Sequence, residues 1–480
     1  MPRRHLHVTA AADAPLSAAL RALRTELAIP DAFPPAVLAE AEAAAGAPRL
    51  PGLDATDLPL LTIDPPTSLD LDQALHLARR PGGGYRVHYA IADVAAFVTP
   101  GGALDTEAHR RATTLYLPDG KVPLHPAVLS EGAASLLPDV TAPALLWRID
   151  LDADGRQVAV DVRRALVRSR AKLDYAGAQA RIDAGTAEEP LALLARVGPL
   201  RERLEVERGG ISLDVPEQEV VETDGRFTLH YRAPLPVDGW NAQLSLLTGM
   251  AAAGLMIEAG TGVLRTLPPA PDGAVARLRL SARALGIDWP HHVSYAELIR
   301  TLDPARSRHA AFLQEATGLL RGSGYTPFTG GHVPAPAAHA AVAAPYTHCT
   351  APLRRLVDRY AGELSLAASA GTPPPEWVLA ALDALPQDMA KGTRLANRAE
   401  RESVDLVEAA LMSHRIGETF DAIVIDVQEH APDVGTVHLP DPAVVGRVEA
   451  AGVPLSLGDP LRVRLTQADP GRAKVLFAPA

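Results

Sequence analysis

The sequence predicts an α+β fold with three parts. Residues 1–50 form a short helical segment, 51–412 a mixed body, and 413–480 a small OB-type barrel. Three observations carry this. Leu16, Leu20, Leu23 and Leu27 recur at helical spacing, and an Ala-rich run follows Pro34-Pro35. The middle alternates short apolar runs with longer amphipathic stretches. The last 65 or so residues hold five short apolar runs broken by Gly, Pro and Asp, as a five-stranded barrel requires.

The N-terminal segment reads as a small helical cap, with a helix-turn-helix contact as the alternative. Arg3 and Arg4 mimic the start of a signal peptide, but no apolar run follows them. Strands are expected at 60–63, 85–91, 145–151 and 157–167, and helices at 171–183, 189–207, 240–260 and 355–370. In the terminal barrel the strands fall at 420–425, 435–439, 444–448, 461–465 and 474–477. There His438 reads as exposed, and Arg462 and Arg464 alternate onto one face.

Composition narrows the function. With one cysteine, Cys349, the chain can build neither a disulfide framework nor a thiolate zinc site, which fits a reducing, cytoplasmic setting. There is no run of about 18 apolar residues, so no membrane span is expected. The net charge of −11 argues against broad electrostatic binding of nucleic acid and leaves room only for a local basic channel. Lys391, Arg394, Arg398 and Arg401 supply a candidate, spaced three, four and three along a helix; its plainer reading is a solvated face.

The most informative stretch is Thr62-Ile-Asp64-Pro-Pro-Thr-Ser-Leu-Asp70-Leu-Asp72-Gln73. Asp70 and Asp72 stand two apart, so in extended chain they share a side, and the Pro-Pro-Thr-Ser turn can return Asp64 to them. Carboxylates so gathered repel unless a cation intervenes, and oxygen ligands without His or Cys suit Mg²⁺ or Mn²⁺. The alternative is that Asp64 and Asp70 are turn and cap residues.

Further strings follow in order: VHYAIADVAAFV at 87–98, RATTLYLP at 111–118, LSE at 129–131, SRAKLDY at 169–175, YTHCTAPLRR at 346–355 and NRAER at 397–401. Together with the Asp segment they resemble the ribonuclease II / ribonuclease R (RNB) family over about residues 50–410. The resemblance implies a hydrolytic 3′→5′ exoribonuclease that degrades single-stranded RNA to nucleoside 5′-monophosphates. A catalytically weak, regulatory RNA binder is the alternative, and a DNA phosphodiesterase a third reading. It implies metal at Asp64, Asp70, Asp72 and Gln73, where Gln73 stands in place of a fourth carboxylate and weakens the site. It makes Asp72 the most essential carboxylate, Arg354 the phosphate contact and Glu400 a residue of the scissile end. It assigns RNA binding to Tyr175, by stacking, and to Arg354; Arg355 beside it, and Lys391, Arg394 and Arg398 of the basic stripe, are further candidate RNA contacts. A second aromatic clamp would fall in Gly210–Pro216, which has no aromatic residue. Outside the resemblance, Arg354 reads as a surface arginine and Glu400 as a solvated helix residue.

The barrel resembles an S1 RNA-binding domain. Residues 414–480 carry nine acidic and six basic side chains, so modest RNA affinity is expected. The 50 or so residues ahead of the Asp segment are too few for two cold-shock barrels, so a variant without them is expected, with a differently built RNA entrance. A monomer with no membrane association is expected.

Overall fold

The computed structural model describes residues 14–480 apart from 213–216, 224–225, 233, 305, 321, 429, 440–443 and 470–474. The N-terminal segment is α1 (Ala14–Glu26) and α2 (Pro35–Gly46). The body begins with β1 (Leu60–Ile63), β2 (Gln73–Arg79), β3 (Tyr85–Ala92), α3 (Ala103–Arg111) and the hairpin of β4 (Leu115–Leu117) and β5 (Gly120–Val122). Two long strands follow, β6 (Thr141–Leu151) and β7 (Gln157–Leu173), then α4 (Tyr175–Asp183) and α5 (Glu189–Glu207). Strands β1, β2, β3, β6 and β7 close into a barrel in that order. All neighbours are antiparallel except β1 and β7, whose parallel pairing closes it.

Alternation along these strands sorts their side chains. Leu75, Leu77, Val87, Tyr89, Ile91, Trp147 and Ile149 belong to the largest apolar cluster, together with residues of α5 and of the long helix described next. The intervening Ala74, Ala90, Ala92 and Ala144 belong to another cluster, with Val37 and Phe97.

After the hairpin β8 (Glu217–Thr223) and β9 (Arg226–Arg232) comes α6 (Pro236–Ala259). It starts on Pro at its first turn and stops at Gly260 in the left-handed conformation, φ 73°. By length and composition α6 is apolar enough to cross a membrane, yet half of that apolar window is buried here, where α6 packs on α5. The approach is close: a Cβ on Gly198 would sit 2.3 Å from Trp240 Cγ.

The rest of the body is β10 (Gly262–Thr266), α7 (Asp272–Ala284), α8 (Tyr295–Arg300), α9 (Ser307–Ala316), β11 (Gly324–Phe328), β12 (Ala338–His339), β13 (Ala344–Pro345), α10 (Leu356–Ala370), α11 (Glu376–Ala381) and α12 (Leu385–Met412). The C-terminal strands β14 (Thr419–Gln428), β15 (Ala431–Leu439), β16 (Val444–Glu449), β17 (Pro460–Ala468) and β18 (Val475–Pro479) close a second five-stranded barrel.

The leucine face of α1 is buried with Ala396, Ala399 and Val407 of α12 and Leu115 and Leu117 of β4, so the N-terminal segment is a cap. Four expectations change. The segment 171–173 is strand, not helix, because Lys172 and Leu173 pair with Thr62 and Ile63; the helix begins at Tyr175, capped by Asp174 through the Gly177 N–H. The strand Gln73–Arg79 was not expected, and it begins one residue after the Asp run. The long helix starts at Pro236, four residues before the expected 240. His438 is buried rather than exposed. Arg462 and Arg464 are exposed on alternate positions of β17, as expected.

Candidate active site

Asp64 lies one residue beyond β1, its N–H donating to the Leu173 carbonyl. The loop from Asp64 to Asp72 is held on two sides. Lys172 Nζ donates to the carbonyls of Pro66 (2.7 Å) and Ser68 (2.6 Å). Ser135 Oγ accepts from the Leu71 N–H and donates to the Leu69 carbonyl. Leu71 is fully buried between them, which fixes Asp70 and Asp72 on either side of it.

Asp72 is the innermost carboxylate, 5% exposed. Its Oδ1 accepts the Leu353 N–H at 2.7 Å, and its Oδ2 lies 3.4 Å from Arg354 Nε. Burial pushes its carboxyl up to about 8, against the pull of Arg354. Burial also raises Asp64, to about 6, with Arg354 and Lys172 opposing and Asp70 adding to the rise. Asp70 is bound by Lys121 Nζ at 2.7 Å, and the same ammonium holds Glu131 at 2.8 Å.

The Arg354 carbonyl accepts from Thr113 Oγ1 and the Thr114 N–H, so its backbone is clamped. Its side chain stays 41% exposed, and its Nε makes no hydrogen bond. A guanidinium facing Asp72 with donors to spare suits a phosphate oxygen. Tyr175, first residue of α4, is half-buried beside these groups. Burial raises its phenol to about 12, with Asp64 and Asp238 adding to the rise while Asn241 hydrogen-bonds it.

The structure therefore brings Asp64, Asp70, Asp72, Arg354 and Tyr175 together. Gln73 departs from expectation as a metal ligand: its Nε2 donates to the Thr350 carbonyl at 2.7 Å, and its Oε1 accepts the Tyr89 hydroxyl. It braces β2 and β3 to the segment carrying Arg354. Arg355 departs from expectation as an RNA contact, because its fork grips the buried Asp358 through Nε and Nη2, each at 2.8 Å. Lys391, Arg394, Arg398 and Arg401 are exposed on α12, and Glu400 on the same helix is half-buried. Arg398 is partly neutralised by Glu402 and Glu26. Of the expected aromatic-clamp segment, residues 213–216 lie outside the described residues.

Sequence reasoning missed Lys121 and Glu131 as partners at the site, although Glu131 lies in the LSE string. It also missed Lys172 as the residue that pins the loop. Chain spacing carries no signal for them, because their meeting with Asp70 and the loop is made only by the folded chain.

Among the described residues no three His, Cys, Asp or Glu side chains are gathered at metal-holding distance. The donor chemistry nonetheless fits a hard divalent cation. The three aspartates are oxygen donors, the charge of Asp70 adds to the raised pKa of both Asp64 and Asp72, and a cationic group, the Lys121 ammonium, already sits against Asp70.

The carboxylates and the partly open Arg354 lie beside one closed β-barrel, and a second, OB-type barrel follows on the same chain. Residues 53–364 match the RNB domain and residues 418–480 the RNase II-type exonuclease C-terminal S1 domain, so the chain belongs to the RNB family. Ribonuclease R of Aquifex aeolicus is 28% identical over 454 residues, covering 87% of this chain and 63% of that protein. DIS3-like exonuclease 2 of Arabidopsis thaliana is 46% identical over 132 residues, 27% of this chain and 12% of that one. Mycoplasma genitalium RNase R in complex with ribose-methylated single-stranded RNA has the same fold, with TM-score 0.83 and 19% identity over 98% of this chain and 78% of that chain. The chain thus spans less than two-thirds of the length of the curated relatives named here.

Proposed function

We propose that the chain is a hydrolytic exoribonuclease that shortens single-stranded RNA from its 3′ end and releases nucleoside 5′-monophosphates. The observation that carries this is the buried Asp72, clamped by the Leu353 N–H and set against the partly open Arg354. Membership of the RNB family and the likeness to ribonuclease R support RNA as the substrate.

Asp64, Asp70 and Asp72 would hold the divalent cation, Mg²⁺ with Mn²⁺ as the alternative. Such an ion acidifies a bound water and stabilises the leaving oxygen. The chain's own groups do the rest. Arg354 presents its free donors to a phosphate oxygen and meets the charge that builds there. The Leu353 N–H and the Gln73–Thr350 bond keep Asp72 and Arg354 in register. Tyr175 offers a ring beside Asp64, where a terminal nucleotide would lie against it without base preference. The exposed stripe from Lys391 to Arg401 supplies phosphate contacts along α12, and Glu400 acts near the scissile end. Gln73 spends its amide on Thr350 and Tyr89 and so has a structural role independent of any cation. The lone free Cys349 is buried, in keeping with a reducing cytoplasmic setting; a monomer is proposed.

The test uses RNA of one length with either a free or a phosphorylated 3′ end, and resolves the products by chromatography. Nucleoside 5′-monophosphates from the free end, with the blocked end resistant, are expected. Internal fragments or nucleoside 3′-monophosphates would overturn the proposal.

A further inference from the structure

We propose that Gly392 is a positioning residue for Arg354: it lets α12, the helix with the exposed basic stripe, pack directly on the turn that holds the Arg354 backbone. This rests on the exonuclease reading above and goes beyond it.

Gly392 lies buried in the interior of α12, where glycine weakens a helix relative to alanine. Its surroundings account for it. A Cβ there would stand 2.8 Å from the Ala112 Cβ, 3.2 Å from the Arg111 carbonyl oxygen and 3.4 Å from Thr113 Cγ2. All three atoms belong to the turn that ends α3. Ala112 holds φ 60°, a conformation that residues with a Cβ rarely adopt, and the Thr113 N–H donates across it to the Arg111 carbonyl at 2.7 Å. Such a conformation persists only where its neighbours enforce it. Ala112 is buried in the largest apolar cluster, its N–H donates to the Ala108 carbonyl, and its carbonyl accepts the Leu356 N–H. Helix α12 is pinned against the same place. One turn before Gly392, Asp388 Oδ2 bonds His109 Nδ1 of α3 at 2.8 Å, and Met389 and Ala396 are buried on either side of the glycine.

The turn supports the arginine segment residue by residue. Thr113 Oγ1 and the Thr114 N–H donate to the Arg354 carbonyl at 3.0 and 2.9 Å. Thr113 also forms a β-bridge with Arg355, and Ala112 takes the Leu356 N–H at 3.0 Å. On the far side of that segment the Leu353 N–H meets Asp72 Oδ1, and Arg354 Nε faces Asp72 Oδ2. A methyl at position 392 would therefore displace the turn, the turn would carry the Arg354 carbonyl with it, and the guanidinium would leave its place opposite Asp72. Small errors of placement at a reacting group cost rate. RNA affinity, spread over many phosphate contacts, is kept.

The experiment is single-turnover cleavage of single-stranded RNA by the full chain with Mg²⁺, beside RNA affinity measured in chelator, with a thermal melt of each variant. Gly392→Ala is expected to slow cleavage about ten-fold at unchanged RNA affinity. Adding Ala112→Gly removes the nearest obstructing atom and suits φ 60°, so the double variant is expected to regain most of the lost rate. In an Arg354→Met background Gly392→Ala is expected to cost nothing further, because it acts through that arginine. Thr113→Val keeps the side-chain shape and removes one donor to the Arg354 carbonyl; it carries the test if Gly392→Ala unfolds, and slower cleavage at unchanged affinity is expected. Wild-type rates in Gly392→Ala or Thr113→Val would overturn the positioning role and leave the exonuclease reading standing. So would a loss that Ala112→Gly does not relieve, or one that adds in full to Arg354→Met. Wild type that leaves the RNA intact would overturn the exonuclease reading and the positioning role with it.

Discussion

Replacing Arg355 by methionine separates two roles that look alike in the sequence. Arg354 and Arg355 are adjacent, but Arg355 spends both arms of its fork on Asp358, which is fully buried at its side chain and also accepts the Ala351 N–H at 2.7 Å. Arg355→Met keeps the apolar stem and removes the charge, leaving Asp358 without its counter-ion. Removing one partner of such a pair costs about 3–5 kcal/mol. The lower end applies, near 3 kcal/mol, because Arg355 is 21% exposed and Ala351 still donates to Asp358. Urea unfolding followed by tryptophan fluorescence reads this, since Trp147 is buried in the barrel and Trp377 packs edge-on to Tyr360 of α10. In a double-mutant cycle with Asp358→Asn the two losses should fail to add, with a coupling of about 2 kcal/mol. The slope of RNA affinity against salt should stay that of wild type, because no phosphate contact is lost. A variant of normal stability that binds RNA less tightly with a shallower salt slope would refute this reasoning.

Asp72→Asn should abolish cleavage while RNA binding persists in a gel-shift assay, since the substitution keeps shape and removes the charge that Arg354 faces. Gln73→Asp should cost about 1–3 kcal/mol in urea unfolding, because a carboxylate cannot donate to the Thr350 carbonyl, and it should not rescue metal affinity. Gly198→Ala should lower stability by about 1–3 kcal/mol in the same assay, because its Cβ would overlap the Trp240 ring. Asp64 and Asp72 are raised by burial to about 6 and about 8, above the ordinary carboxylate value, so the folded state holds their protons longer than the unfolded chain does. Their contribution to stability is thus complete below pH 4 and is lost as pH rises through 6 and then 8. A divalent ion favours the ionised forms, so Mg²⁺ should raise the thermal midpoint more at pH 8 than at pH 5; the reverse order in a melting series would refute the assignment.

The terminal barrel was legible because its strands are half-buried and alternate cleanly, as Arg462, Val463, Arg464 and Leu465 do. Helix α5 was equally plain from its apolar spacing and flanking turns. The stretch Ala171–Leu173 was not, because its conformation is imposed by parallel pairing with β1, more than a hundred residues away. The same holds at the site. Asp64, Asp70 and Asp72 announce themselves by spacing, and Arg354 by its motif. Whether Gln73 faces a cation or a carbonyl depends on Thr350 and Tyr89, contacts made only by the folded chain. Arg355 misled for a related reason: its partner Asp358 is three residues ahead on the helix, and only burial shows that the pair is closed. Lys121 was invisible because a hairpin lysine carries no pattern until the turn delivers it to Asp70.

The most direct measurement follows 5′-labelled single-stranded RNA with Mg²⁺, with wild type beside Asp72→Asn. A ladder collapsing to a short end product in wild type, absent in the variant and absent with chelator, is the predicted result. Degradation that survives the substitution, or intact RNA bound by wild type at every Mg²⁺ and Mn²⁺ concentration, would contradict a metal-assisted exonuclease centred on Asp72.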